Sequence, residues 1–252
     1  MWSTMRSTWQ WQAKMVVNAR VSGADRAPNP CLECDVRSLA VCSAVRASLL
    51  PKLTTLAAGR HVEVGCSLFD EGDPADNVFT LTEGMLKLYK LLGDGRRQIV
   101  GFLVPGDFLG LAFGRGYAYT AEAVTPVAAC RFKRQQFLAL LDECPELEKE
   151  ILTRATTELA AAQEQMLLLG RKTARERVAS FILAMSRRRK LAPGEALELP
   201  MGRADIGDYL GLTIETVSRT LTALRKERLI EVTDRHLIKV RQPEALARLA
   251  GS

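Results

Sequence analysis

The sequence predicts an α+β chain built in series: a barrel or roll of short strands, one long helix, and a C-terminal winged helix-turn-helix. Three observations carry this. Between about residues 60 and 135, short β-favouring runs alternate with glycine turns at regular spacing, the mark of a closed or rolled antiparallel sheet. From Pro145 to about Lys172, apolar residues recur every seven positions, the signature of a long helix with a seam. Gly211 then separates two short amphipathic patterns at the spacing of a helix-turn-helix. The predicted parts are residues 1–30, a mobile arm; 31–144, a cysteine motif with the roll; 145–172, the long helix; and 173–252, the winged helix-turn-helix.

The 252 residues suffice for one or two domains with real cores. An apolar content of 47% with 25% charged residues is that of a water-soluble fold. No apolar run reaches the roughly 18 residues needed to span a bilayer, and the N-terminus has no continuous apolar segment like a signal peptide's. A cytoplasmic protein without a membrane role is expected. The net charge of +6 fits a nucleic-acid partner without requiring one. Six cysteines in such a chain point to metal or redox chemistry rather than to disulfides.

The arm ends in Ala27-Pro28-Asn29-Pro30 and has little to bury. Cys31, Cys34 and Cys42 follow, spaced x2 and x7. A Cys-x-x-Cys turn brings two thiolates to one metal or cluster, and the next segment can fold back with a third; zinc and iron–sulfur iron both suit thiolates. A fourth ligand must come from far along the chain, with Cys66, Cys130, Cys144, His61 and His236 as candidates. From spacing alone, zinc and iron–sulfur stand level.

In the strand region His61–Val64 alternates, Phe69 and Phe79 flank a turn, and Met85–Tyr89 alternates again. Leu92-Gly93-Asp94-Gly95-Arg96 reads as a hairpin turn, and Gln98–Leu103 leads to Pro105-Gly106-Asp107. In the long helix, Leu152, Leu159 and Met166 interleave with Ala155, Ala162 and Leu169 as an a/d seam, with Glu148, Arg154, Glu158 and Glu164 on the outer faces. The small Ala layers permit close approach of a second copy, so a homodimer is expected.

A helix near Thr173–Lys190 ends in a basic run, Arg187–Lys190, that is either a phosphate contact or a solvated helix end. Then come Asp205-Ile206-Gly207-Asp208-Tyr209-Leu210, the Gly211 turn, and a second helix to about Arg228. Thr213 is the expected N-cap, and Glu215 sits in the first turn, where the helix dipole favours an acid. Glu215, Thr216, Ser218, Arg219 and Thr222 take the exposed face. Glu accepts from cytosine N4, Arg donates twice to guanine, and Ser bonds either way, so this helix is a candidate reader of base edges, with Thr213, Glu215, Thr216, Ser218 and Arg219 as the expected DNA-binding residues. Leu229–Val232 and Leu237–Val240 pair as a wing with His236 at its solvent-facing tip, and Pro243–Leu249 closes the chain.

The run Gly207-Asp208-Tyr209-Leu210-Gly211-Leu212-Thr213-Ile214-Glu215-Thr216-Val217-Ser218-Arg219 resembles the recognition motif of the CRP/FNR regulators, most closely the FNR branch, and the resemblance extends from about Cys31 to the C-terminus. It implies that the roll is a cyclic-nucleotide-binding-like β-roll. It also implies that the long helix dimerises, that Glu215, Ser218 and Arg219 read a TTGAT-type inverted repeat in double-stranded DNA, and that RNA polymerase is a partner. It further implies an oxygen-labile four-iron four-sulfur cluster on Cys31, Cys34, Cys42 and Cys130. The last is chosen because Cys130-Arg131-Phe132-Lys133-Arg134-Gln135-Gln136-Phe137-Leu138 resembles the stretch carrying the family's distant ligand. Cys66 and Cys144 are then expected to be small buried hydrophobes.

Cyclic-nucleotide binding is disfavoured. Members that bind cAMP carry Arg-Ser or Arg-Thr after Gly-Glu, whereas here Tyr119 precedes Thr120 and Arg115 is out of register. With His61 and His236 the only histidines, haem is disfavoured too. Two rival readings stay open: the same DNA-binding half with a small-molecule effector in the roll and no cluster, and a dithiol redox enzyme using Cys31 and Cys34. The second lacks the strand-to-helix setting such enzymes use.

Overall fold

The computed structural model describes residues 31–111, 114–189, 191–192, 194–234 and 236–251. The arm expected over residues 1–30 lies outside the described residues. After two 3-10 turns, Val41–Ala44 and Ala47–Leu49, comes α1 (Leu50–Leu56), then β1 (Ala58–Val62), β2 (Ser67–Phe69), β3 (Asn77–Glu83), β4 (Leu86–Leu91), β5 (Arg97–Leu103), β6 (Phe108–Leu109), β7 (Thr120–Ala123) and β8 (Val127–Lys133). Helices α2 (Arg134–Glu143), α3 (Pro145–Arg171) and α4 (Ala174–Arg188) follow, then β9 (Ala196–Glu198), α5 (Arg203–Leu210), α6 (Ile214–Lys226), β10 (Ile230–Asp234), β11 (Leu237–Val240) and α7 (Pro243–Ala250).

The eight N-terminal strands form two antiparallel four-stranded sheets, ordered β1-β8-β3-β6 and β2-β7-β4-β5, facing each other as a β-roll. The hairpin turn forms as its residues require: Leu92 N–H donates to Arg96 O at 2.8 Å, and Gly95 takes φ +84°. β1 does not alternate as read, since residues 58–61 are exposed and only Val62 is buried. β3 is buried on both faces for a topological reason. Phe79 and Leu81 point into the roll, while Val78 packs outward under Phe132, Phe137 and Leu53 of the helical layer.

In the C-terminal part, Gly211 adopts φ +62°, the left-handed conformation that ends α5 in a sharp turn. Gly207 is glycine because a Cβ there would lie 2.6 Å from the Leu212 carbonyl oxygen. The wing carries a third strand the sequence reading lacked, β9, giving the order β10-β11-β9. His236 is not a free tip. Its Nδ1 lies 2.9 Å from Leu199 O, and its backbone carbonyl accepts from Leu199 N–H at 2.7 Å.

One apolar core runs from the roll into the C-terminal part. Met85, Ile99, Phe102 and Val104 of the roll join Val178, Phe181, Ile182, Ile206 and Leu210. Phe102, Phe181 and Tyr209 meet with ring centroids 5.4 to 6.2 Å apart. Charges border this contact. Lys87 pairs with Glu122 at 2.9 Å and Asp205 at 3.1 Å, and Arg97 reaches Asp205 at 2.6 Å and Asp208 at 2.8 Å. The Lys87 side chain is only 9% exposed, so its desolvation is offset only while both carboxylates stay in place. Arg188, in the basic run, donates to Phe102 O and to Asp107; its fork is spent on the roll rather than turned to phosphate. At the junction, Arg177 donates to Lys172 O, Leu210 O and Leu169 O, tying the ends of α3 and α5 together.

Candidate nucleic-acid interface and thiol cluster

Helix α6 is set on its neighbours by Val217, Leu221 and Leu224, all buried, with Thr220 beside them. The remaining face is open: Glu215, Ser218, Arg219 and Thr222 are exposed, and Thr216 is partly so. The N-cap is Thr213, whose Oγ1 accepts from Thr216 N–H at 3.2 Å. Thr216 Oγ1 lies 3.1 Å from Thr213 Oγ1 and accepts weakly from Arg219 at 3.4 Å. Hydrogen bonds from its own backbone N–H and from Thr213, with Arg219 nearby, hold the Glu215 carboxyl below the usual range. Glu215 is therefore an obligate acceptor at neutral pH, one turn before a fixed cation on the same face. Ser218, Arg219, Thr222, Ala223 and Lys226 line a shallow open groove along that face.

On α3 the apolar stripe is largely bare. Leu152, Leu159 and Met166 are 64%, 61% and 66% exposed, with Ala155 and Ala162 exposed between them. Leu169 departs from the stripe, being half-buried against the shared core and the Gly211 turn. The exposed apolar stripe therefore ends one layer earlier than the heptad suggests. Leu167, 65% exposed, adds apolar surface that the heptad reading left out.

The four cysteines singled out come together from two remote places. Cys31, Cys34 and Cys42 precede the roll, and Cys130 lies on β8, paired with Gly59 and Thr80. Cys31, Cys42 and Cys130 all pack against the core formed by Val41, Leu53, Phe132 and Phe137. The Cys42 thiol is pushed up to about 11, chiefly by burial and then by the charges of Cys31 and Cys34. Burial likewise pushes Cys130 up to about 12, with Cys42, Cys31 and Cys34 as the further causes. The four thiols thus share one neighbourhood. Among the described residues no three His, Cys, Asp or Glu side chains converge tightly enough for a single ion. Cys144 is fully buried, its Sγ 3.9 Å from Ala44 O. Cys66 is exposed, contrary to the expectation of burial.

These shifts set a reactivity order, because the thiolate is the nucleophile. In metal-free folded protein at pH 8, Cys42 is expected to alkylate about a hundredfold more slowly than an unperturbed thiol, and Cys130 more slowly still. Both rates should climb roughly tenfold per pH unit until pH reaches the raised values. Exposed Cys66 should react first. Mass spectrometry of iodoacetamide-treated protein at several pH values reads this out; equal labelling of Cys66, Cys42 and Cys130 at pH 8 would contradict it.

Two family models match the chain: a Crp-like helix-turn-helix domain over residues 176–249 and a cyclic nucleotide-binding domain over residues 59–144. The transcriptional activatory protein AadR of Rhodopseudomonas palustris is 44% identical over 223 residues, covering 87% of this chain and 92% of that protein. The chain belongs to the CRP/FNR family of transcription regulators. The nitrogen fixation regulation protein FixK of Bradyrhizobium diazoefficiens is 42% identical, covering 80% of this chain and 86% of that one. The solved structure of FixK2 from Bradyrhizobium japonicum superposes with a TM-score of 0.74 at 38% identity, covering 78% and 98% of the two chains. This CRP/FNR protein is a DNA-binding transcription regulator, not an enzyme, and the dithiol-enzyme reading falls away. Among the described residues, no helix is long and apolar enough to cross a membrane.

Within the roll of this regulator, Phe69 stacks on Tyr117 at 3.7 Å, with Phe79 and Tyr119 at 5.8 and 6.0 Å. Aromatic rings occupy the interior around the position where cAMP-binding members place arginine, and Arg115 stands exposed outside.

Proposed function

We propose that this CRP/FNR protein is a cytoplasmic, oxygen-responsive regulator whose Cys31, Cys34, Cys42 and Cys130 hold a four-iron four-sulfur cluster. In this reading cluster integrity controls homodimerisation through α3, and the dimer binds a TTGAT-type inverted repeat. The observation that carries it is the gathering of four thiols from the N-terminal segment and β8 into one half-buried neighbourhood. The donor set fits the group. All four donors are sulfur, the ligand type that iron–sulfur iron takes. When bound, such a cluster supplies the oxygen-sensitive element. The chain's own residues do the rest. Cys130 ties the N-terminal segment to β8, and that segment lies against α3 through Val41, Val45 and Leu147. Leu152, Leu159 and Met166 then meet their copies, placing two α6 helices about one DNA turn apart. Glu215, Ser218 and Arg219 read bases, Thr213 and Thr216 set the helix end, and RNA polymerase is the partner once DNA is bound.

The test is iron and acid-labile sulfide content, with a visible spectrum, on protein purified without oxygen. The expected result is about four of each per chain, with absorbance bleaching in air and the dimer dissociating. Protein isolated with zinc or with no metal would overturn the cluster, leaving a DNA-binding regulator whose effector binds elsewhere.

A further inference from the structure

The heptad pattern places Arg154 on an outer face of α3, but in the structure its side chain turns inward and is only 29% exposed. One guanidinium nitrogen donates to Leu39 O at 2.7 Å, another to Gly106 O at 3.1 Å, and Nε to Glu150 Oε1 at 2.7 Å. Leu39 lies between Cys34 and Cys42, and Gly106 lies in the turn between β5 and β6. That turn is seated directly under the cysteine segment: Gly106 has φ +98°, and a Cβ on it would fall 2.8 Å from Leu39 Cβ. One planar fork therefore joins three pieces, the cysteine segment, the roll and α3. It does so one residue before Ala155 and two after Leu152 on the bare stripe.

The other ties of this segment are of a different kind. Val41 and Val45 are buried against Leu147. Arg46–Glu146, at 3.1 Å, is a surface pair with both side chains about half exposed, a type that contributes little. Leu39 itself is 45% exposed, while Ala40 and Val41 beside it are buried, so the charge-assisted hydrogen bond adds a half-buried polar tie to that packing.

We propose that Arg154 is a positioning residue that couples the seating of the Cys31–Cys42 segment to the dimer face of α3. The proposal rests on reading that segment as the ligand-bearing part of the sensor and that stripe as a dimer seam. While the segment is seated, the fork is fully engaged and its charge is held on the roll side of the helix. When the segment lifts, Leu39 O leaves with it. Part of the fork is then unpaired, and the turn of α3 that carries Leu152 and Ala155 is held less firmly against the roll.

The test compares full-length wild-type protein with Arg154→Met, which keeps the apolar stem and removes every donor, and with Arg154→Lys, which keeps the charge but not the fork. Amide exchange over residues 35–45 is followed in iron-loaded and in metal-free protein, and dimer dissociation by sedimentation. Arg154→Met should speed exchange at Ala40 and Ser43 by about tenfold or more and weaken the dimer by a similar factor. Arg154→Lys should recover only part of both. Unchanged exchange overturns the tie; faster exchange with an unchanged dimer overturns the coupling and leaves Arg154 a structural residue. If circular dichroism shows Arg154→Met misfolded, Arg154→Gln carries the same comparison. Exchange in metal-free protein does not depend on iron, so failure of the cluster reading and failure of this one are separable.

Discussion

Leu159→Glu is expected to dissociate the protein to monomers and, with that, to remove tight binding to an inverted repeat. Leu159 is 61% exposed at the middle of the α3 stripe, between Leu152 and Met166. In a two-fold pair of α3 helices it would meet its own copy. The substitution removes two buried leucines per dimer, at about 1.5–3 kcal/mol each, and places two like charges in the seam. A dimer dissociation constant raised by about a thousandfold follows. The second half-site's contribution to DNA binding is then lost at working concentrations. Because the side chain is mostly exposed within its own chain, the monomer's thermal midpoint should hardly move. Sedimentation velocity and mobility shift on the inverted repeat read the two effects. A variant that stays dimeric at micromolar concentration would show that the stripe is not the seam.

The second large effect is expected from Arg219→Ala. Arg219 stands exposed on α6, and its only side-chain hydrogen bond among the described residues is a long one to Thr216 at 3.4 Å. Removing it should therefore leave folding intact. A bidentate arginine–guanine contact contributes about 1–3 kcal/mol, and a dimer makes it twice, so affinity for the intact repeat should fall by roughly thirtyfold to twenty-thousandfold. Discrimination at the contacted base pair should collapse with it. A loss of affinity equal for all sequences, together with a shallower salt dependence, would instead mark Arg219 as a phosphate contact. Glu215 is coupled to this residue through its charge, so double substitution at both positions should be less than additive.

The helix-turn-helix was legible in the sequence because its constraints are local. Gly211 must take a left-handed φ, Thr213 must cap, and Val217 and Leu221 must fall on one face, all within about twenty residues. The α3 stripe was legible for the same reason, since a seven-residue period survives whatever the helix packs against. Local pattern was less use for strands packed on both sides. β3 lies between the roll interior and the helical layer, and its burial cannot be read from alternation. β9 is three residues long and acquires its strand character only by pairing with β11.

What the sequence by itself determined, then, is the order of parts, the exposed polar face of α6, the apolar period of α3 and the closely spaced cysteines. The tertiary structure alone decided how those parts touch. It brought Cys130 to the N-terminal thiols through the β1-β8-β3 pairing, across nearly ninety residues of chain. It turned Arg154 and Arg188 away from solvent to carbonyls of the roll, and it pinned His236 to Leu199. It also joined the roll to α5 through Lys87, Arg97 and Asp205. The physical reason is common to these cases. Long polar side chains are compatible with either surface or interior in any local pattern. Which carbonyl or carboxylate they reach depends on what the fold places beside them.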